Sequence, residues 1–536
     1  MNKKWNKCYI IYASLFLYSS LIMLFCTKSS PIYVLNDWYD ANVYFTMGKG
    51  LINGSVPYKD LFDHKGPFLY FIYAIGYLLN NSSFFGVFIL QVIAMYITLI
   101  FGFKISKIYN LSHCAAFIAT IMIPMAILSN GFYIFENDFG GGSPEEFIVP
   151  IFSAILYLFI KLLKKQNILK FSPLCLFVIG LLSSLIFQLK FSHLSLAFGL
   201  MFPFLFHLLI KKFSVFIKNF FLYITGFFAG LIPYVIYALT TNSLKDFLHV
   251  YIKFNKIYAT SSDEKNIWLL LISAVENKTN IDQSSNALIF IIVFFGLLYL
   301  LHSYKKDFIL NVSIFISCIS FLIIASFVAF GYNFIILGIF SFFGYIAIYD
   351  IFKNIIEKNS KKNSSTRLYN IAIHFLTIFF IFIITITNNK CIFINLHKTS
   401  HVSSKKSCQE QIANIIHADA DKDYSLLEVL SLDSGFYTLS NIVPKSKYFY
   451  IPNITFDRYP YVYLGQYEDV CNKLNNYVIS DFEAHYKANI DKQNINSQNY
   501  TDKIGSAIAQ NYELINKTNG TYLQSGRVFY LYKRIK

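Results

Sequence analysis

Residues 36–79 read NDWYDANVYFTMGKGLINGSVPYKDLFDHKGPFLYFIYAIGYLL, a carboxylate-rich loop that ends in an apolar run from Pro67 to Leu79. Whether that run crosses a membrane decides the arrangement of everything after it. A bilayer core of about 30 Å needs about 20 apolar residues of helix, and this run offers about a dozen. That is the length of a helix lying in the interface.

A membrane is implied by composition. The chain has 536 residues, 55% of them hydrophobic and only 14% charged, with 57 Phe. No water-soluble fold of this size hides so much apolar surface in one core. The net charge of +16 comes from short Lys clusters between apolar runs rather than from one basic face, so it reads as topology and gives no support to nucleic-acid binding.

Runs of spanning length lie near 8–28, 84–103, 111–129, 147–163, 171–189, 191–210, 219–239, 285–303, 308–328, 331–350 and 368–387, about eleven helices by the hydropathy criterion. With 67–79 left at the interface, one alternate set of loops holds Lys3, Lys4 and Lys7, Lys104 and Lys107, Lys161, Lys164 and Lys165, Lys211, Lys212 and Lys218, Lys305 and Lys306, and the run from Lys353 to Arg367. Positive charge marks cytoplasmic loops, so the N-terminus is predicted inside. Loops 29–83, 130–146 and 240–284, the turn at Lys190, and all residues beyond 388 are predicted outside. Counting 67–79 as a span inverts this and places most Lys clusters outside. The first run has a basic start but no small-residue cleavage site, so it is expected to stay as an anchor.

The predicted architecture is an α-helical polytopic membrane domain, residues 1–387, followed by a small extracytoplasmic α/β domain, 388–536. Strands are expected in YSLLEVLSL (424–432), KYFYIP (447–452) and GRVFYLYKRIK (526–536), where apolar and polar residues alternate. The eight cysteines show no metal-ligand spacing. Cys408 and Cys471 are a candidate disulfide if their region faces an oxidising compartment.

The polar chemistry gathers on the predicted outer side. Asp37, Asp40, Asp60, Asp63, His64 and Lys65 crowd the first loop. A carboxylate held at the lipid boundary can take a proton from an acceptor hydroxyl, and Asp also favours helix N-caps, so Asp37 and Asp40 suit both roles. His64 and Lys65 can oppose a phosphate or anchor to headgroups. Lys190, in IFQLKFSHLSL, lies between two apolar runs, where an ammonium needs an anion or water or snorkels outward. Glu145 and Glu146 open a span after a glycine-rich turn; they can contact sugar or metal, or complement a helix N-terminus. Gly140, Gly141 and Gly142 lack the preceding strand of a nucleotide-binding loop.

The order Asp40-Ala-Asn-Val-Tyr44, then Gly48, Gly50 and Gly54, then Pro57-Tyr58-Lys59-Asp60, then Phe62-Asp63-His64-Lys65-Gly66-Pro67 resembles membrane glycosyltransferases of the GT-C type. It is similar to bacterial relatives of the protein O-mannosyltransferases and of the lipid A aminoarabinose transferases. The likeness is strongest over residues 36–80 and continues at GGGSPEEFIVP (140–150). It implies a polyprenyl-phosphate sugar donor, an envelope glycan, lipid or protein as acceptor, and the cell membrane as location. It carries the general-base role onto Asp40, with Asp37, which has no clear counterpart, as substitute. Tyr44, Tyr58, Asp60, Asp63, His64, Lys65, Glu145, Glu146 and Lys190 become candidate substrate contacts. Ala41 stands where relatives often have Glu, which leaves a metal-binding role for that position unsupported; a divalent cation is allowed but not demanded.

Two other classes share these features. A lipid-linked saccharide flippase predicts inverted repeats and charges near the midplane, and the sequence shows neither. A polysaccharide polymerase shares the lipid-linked substrates and is separated only by its product.

Overall fold

In lipid only a helix or a closed barrel satisfies its own backbone, and the long apolar runs fold as helices. The computed structural model describes residues 2–129, 140–165, 173–259, 284–326, 331–359, 367–387, 406–486, 495–521 and 526–535. Most of the predicted external loop 130–146 and the start of the expected soluble domain lie outside the described residues.

The chain begins with α1 (Asn2–Cys26), α2 (Tyr39–Ile52), α3 (Pro67–Leu79) and α4 (Phe85–Ile108). The run at 111–129 is divided into α5 (His113–Ile121) and α6 (Ile123–Ile127), with Pro124 removing a backbone donor at the break. Then come α7 (Pro144–Lys165), α8 (Pro173–Leu189), α9 (Leu194–Lys211), α10 (Phe213–Thr240), α11 (Leu244–Phe247), α12 (Asn255–Ala259), α13 (Ser284–Ser303), α14 (Phe308–Ser326), α15 (Leu337–Asn359) and α16 (Arg367–Thr387). Among the described residues, 7 helices are long and apolar enough to cross a membrane. Among the described residues, the other expected runs and Pro67–Leu79 contribute shorter apolar helical stretches.

Helices pack in pairs: α2 on α3, α4 on α7, α8 on α10, α9 on α14 and α13 on α15. The first pair depends on Gly48, where a Cβ would lie 2.6 Å from the Ala74 nitrogen. No other residue permits that approach.

After α16 come α17 (Cys408–His417), β1 (Leu426–Glu428), α18 (Phe436–Ser440), α19 (Tyr461–Cys471), β2 (Tyr477–Ser480), α20 (Tyr500–Asn511), β3 (Tyr512–Asn519) and β4 (Val528–Arg534). The sheet order is β1-β2-β4-β3; β1 and β2 run parallel, the other neighbours antiparallel. Period-2 alternation sends Leu426, Tyr477, Ile479, Phe529 and Leu531 into the core shared with the membrane helices. Leu427, Val478, Tyr530 and Tyr532 face the opposite way, onto Ile504 and Ile508 of α20.

One expectation needs correction, and the open question of a disulfide is answered. The segment KYFYIP forms no strand, because its polar groups reach the first loop instead: the Phe62 N–H donates to the Lys447 carbonyl at 2.9 Å. The Cys408 thiol is buried, donates to Gln409 Oε1 at 3.2 Å, and is not joined to Cys471.

The C-terminal region is built onto α2 and α3. Asn42 accepts from the Thr438 hydroxyl at 2.8 Å, Thr46 donates to Asp433 at 2.9 Å, and Tyr77 donates to Asn441 at 3.2 Å. Lys49, fully buried, donates to the Tyr437 carbonyl.

Candidate active site

Helix α2 starts at Tyr39 and carries Asp40 in its first turn, where a carboxylate complements the helix dipole. Asp40 is half-buried, and the Tyr44 hydroxyl, one turn on, donates to it at 3.2 Å. The Tyr44 ring is locked edge-on against Trp38 and Tyr73, at 6.1 and 5.6 Å. Asp37 is placed differently. It is buried in an ion pair with Lys28 at 2.5 Å, and a buried carboxylate so compensated braces the loop.

Segment 62–66 is pinned at every residue. Asp63 accepts from the Tyr70 hydroxyl at 2.9 Å and from the Tyr450 hydroxyl at 2.6 Å. The His64 carbonyl accepts from Asn255 at 2.7 Å. The Lys65 carbonyl accepts from Tyr58 and Tyr70 at 2.7 and 3.0 Å, and the Gly66 N–H donates to Leu189 at 3.2 Å. A Cβ at Gly66 would lie 1.9 Å from the Gln188 carbonyl oxygen, so glycine is required where the loop meets α8. Tyr58, fully buried with φ 67°, serves this scaffold.

Lys65 Nζ lies 2.9 Å from His64 Nε2. An ammonium only donates, so Nε2 accepts and a neutral ring carries its proton on Nδ1, which lies 3.4 Å from Asp63. That last contact is long, electrostatic rather than a full hydrogen bond. Burial, joined by the Lys65 charge, pushes His64 below its ordinary value despite Asp63. Burial alone would raise the Asp63 carboxyl, but His64, the Lys65 charge and the Tyr450 hydroxyl hold it well below the usual carboxylate range. Burial also works against a charged Lys65, yet Asp40 and then Asp63 outweigh it and raise its pKa. Lys65 therefore stays cationic.

Lys190, at the turn between α8 and α9, contacts Glu145 at 2.5 Å and Asn333 at 2.7 Å. Burial pushes its pKa down despite Glu145. His193 lies 3.7 Å from the same Glu145 oxygen. Glu146 does something else: it accepts from Gln91 at 2.7 Å and from the Gly142 N–H at 2.6 Å, closing the glycine turn. Asp60 is exposed and accepts from the Val56 N–H at 2.8 Å.

A cavity of about 220 Å³ is lined by His64 and Lys65 from the first loop, Lys190 and His193 from the α8–α9 turn, and Tyr332 and Asn333 before α15, with Leu189, Phe191, Ile324 and Ala325 as an apolar wall. Of the candidates from the sequence, the fold thus brings together His64, Lys65 and Lys190, with Glu145 behind Lys190 and Asp40, Tyr44 and Asp63 behind Lys65. It does not bring Asp37, Tyr58, Asp60 or Glu146 to the cavity wall. Sequence reasoning missed His193, Tyr332 and Asn333, as well as Tyr258 and Asn255, which also line it, and Tyr450. No spacing or motif marks them.

Two cations, polar groups and an apolar wall suit a phosphate attached to a lipid. A divalent cation fits less well. Among the described residues no three His, Cys, Asp or Glu side chains gather as a ligand set, and Ala41 follows Asp40. No step is assigned to a metal.

No protein-family model matches the sequence, and no curated protein matches it. Solved structures do. The aminoarabinose transferase ArnT from Cupriavidus metallidurans, bound to undecaprenyl phosphate, matches with a TM-score of 0.59 at 10% identity over 97% of this chain and 98% of that one. Its apo state matches with a TM-score of 0.56. The oligosaccharyltransferase of Archaeoglobus fulgidus in complex with zinc and sulfate matches with a TM-score of 0.51 at 13% identity, over 97% and 73% of the two chains. With its apolar helices, small sheet and superposition on ArnT over nearly its whole length, the chain is a multi-pass membrane protein of the GT-C fold.

Proposed function

We propose that the protein transfers a sugar from a polyprenyl-phosphate donor to a glycan, lipid or protein acceptor of the cell envelope, on the extracytoplasmic face. The observation that carries this reading is that Lys65 and Lys190, far apart in sequence, line one cavity, while Asp40 acts on the Lys65 charge. In this account the N-terminus is cytoplasmic, residues 1–387 form the membrane catalytic domain, and 388–536 form an extracytoplasmic domain seated on the first loop. The undecaprenyl phosphate bound by ArnT supports the donor class.

Asp40 takes the proton of the acceptor hydroxyl, whose oxygen attacks the anomeric carbon. The bond from that carbon to the phosphate oxygen breaks, and its electron pair leaves with the phosphate. Lys65 and Lys190 stabilise the departing charge, and Tyr44 fixes the Asp40 rotamer. One displacement inverts the anomeric configuration. The test is transfer of labelled sugar from synthetic polyprenyl phosphate to envelope acceptors by the purified protein in liposomes. A protein that leaves the labelled donor intact under every acceptor fraction lacks this activity.

A further inference from the structure

Tyr450 lies in the C-terminal region, 387 residues beyond the Asp63 that it contacts. Its hydroxyl donates to Asp63 Oδ1 at 2.6 Å, and both groups are buried. The same Oδ1 lies 3.4 Å from His64 Nδ1, and His64 Nε2 lies 2.9 Å from Lys65 Nζ. The contacts form a chain from the C-terminal domain to one of the two cations of the cavity. Two neighbouring bonds fix the approach: the Phe62 N–H to the Lys447 carbonyl at 2.9 Å, and the Ile451 N–H to the Ser431 carbonyl at 2.9 Å.

We propose that Tyr450 is a positioning residue for the donor phosphate: through Asp63 and His64 it holds the Lys65 ammonium in place, so the C-terminal domain completes the donor site rather than serving the acceptor alone. This rests on the proposed donor class. The chemistry follows from the donor inventory. Asp63, 3.4 Å from His64 Nδ1, favours the proton on that nitrogen electrostatically only while its own oxygens are kept from turning away, and Tyr450 and Tyr70 supply the two hydroxyls that do so. With Nδ1 protonated, Nε2 offers its lone pair to Lys65. One ammonium proton is then spent on His64, and the other two remain for phosphate oxygens. Without Tyr450, the carboxylate rotates, the imidazole loses its orientation, and Lys65 samples rotamers that miss the phosphate.

The experiment measures binding of polyprenyl phosphate itself to the full-length protein, together with KM and kcat for transfer. Tyr450→Phe is expected to weaken polyprenyl-phosphate binding by about tenfold, the scale of one charge-assisted hydrogen bond, with KM rising more than kcat falls. Asp63→Asn is expected to do at least as much, and the Tyr450→Phe/Asp63→Asn double variant to be no worse than Asp63→Asn alone. Tyr77→Phe removes a different hydroxyl that bridges to the C-terminal domain, and is expected to bind as the unmodified protein does. Wild-type affinity in Tyr450→Phe, additive losses in the double variant, or an equal loss in Tyr77→Phe would each overturn the proposal. Failure of the unmodified protein to bind polyprenyl phosphate would instead remove the donor class, and binding without transfer would remove the reaction while leaving the positioning role.

Discussion

Lys190 Nζ lies 2.5 Å from Glu145 Oε1, tying the turn before α9 to the first turn of α7. Glu145 is fully buried, so its charge depends on that partner. Removing one member of a buried pair leaves an uncompensated charge and costs about 3–5 kcal/mol. Lys190→Ala is therefore expected to lower unfolding stability in detergent by about that amount, while the Lys190→Ala/Glu145→Gln double variant recovers most of it. Polyprenyl-phosphate affinity is not recovered in the double variant, because the cavity still lacks a cation. Unfolding and binding measured on the same preparations separate the two effects.

Among the described residues Lys65 contacts His64 rather than a carboxylate, and its cost on removal is expected in binding. Lys65→Ala should weaken polyprenyl-phosphate affinity by about tenfold to a hundredfold, the range for a lost charge-assisted contact to phosphate. Its unfolding midpoint should move little. Titration with polyprenyl phosphate beside its uncharged alcohol checks this: the alcohol is expected to bind both proteins alike.

Asp60 separates loop chemistry from loop scaffolding. It is exposed and braces a turn through the Val56 N–H. Asp60→Asn is expected to change stability by less than about 0.5 kcal/mol, as surface substitutions usually do, and to leave transfer at the unmodified rate. A rate loss comparable with Lys65→Ala would bring Asp60 into substrate binding.

A pH dependence follows from the joint between α2 and the C-terminal domain. Burial and the neighbouring Asp433 raise the pKa of Glu428. A carboxyl whose folded pKa is raised stabilises the fold at low pH and loses that contribution as pH climbs from the ordinary carboxylate range through the folded value. Thermal stability should therefore fall from about pH 5 toward pH 8, and Glu428→Gln should flatten that fall. Melting curves of both proteins across this window test it. Lys49, pushed down to about 7 by burial and partly restored by Asp433, acts in the opposite sense above neutrality.

Much of the fold was legible because lipid imposes a simple rule on apolar runs. Seven of the expected runs are full-length apolar helices, and Pro67–Leu79 is the short helix its length implied. The strand in YSLLEVLSL and that in GRVFYLYKRIK were visible as alternation. KYFYIP misled because its alternation serves contacts with the first loop, which local pattern does not record. The same limit applies to the site. His64, Lys65 and Lys190 stood out as charges beside apolar sequence, whereas Asp37 and Glu146 looked equally suggestive until Lys28 and the Gly142 N–H were found opposite them. Tyr450 was silent, since one tyrosine among 40 gains meaning only from the carboxylate it meets.

The most direct measurement is sugar transfer from polyprenyl phosphate by Asp40→Asn, compared with the unmodified protein at equal folded amounts and with donor binding measured in parallel. The account predicts that transfer falls by about a hundredfold to ten-thousandfold, the range for a lost general base, while donor binding, weakened only through the Asp40 support of the Lys65 charge, falls far less than transfer. Transfer at the unmodified rate would contradict it.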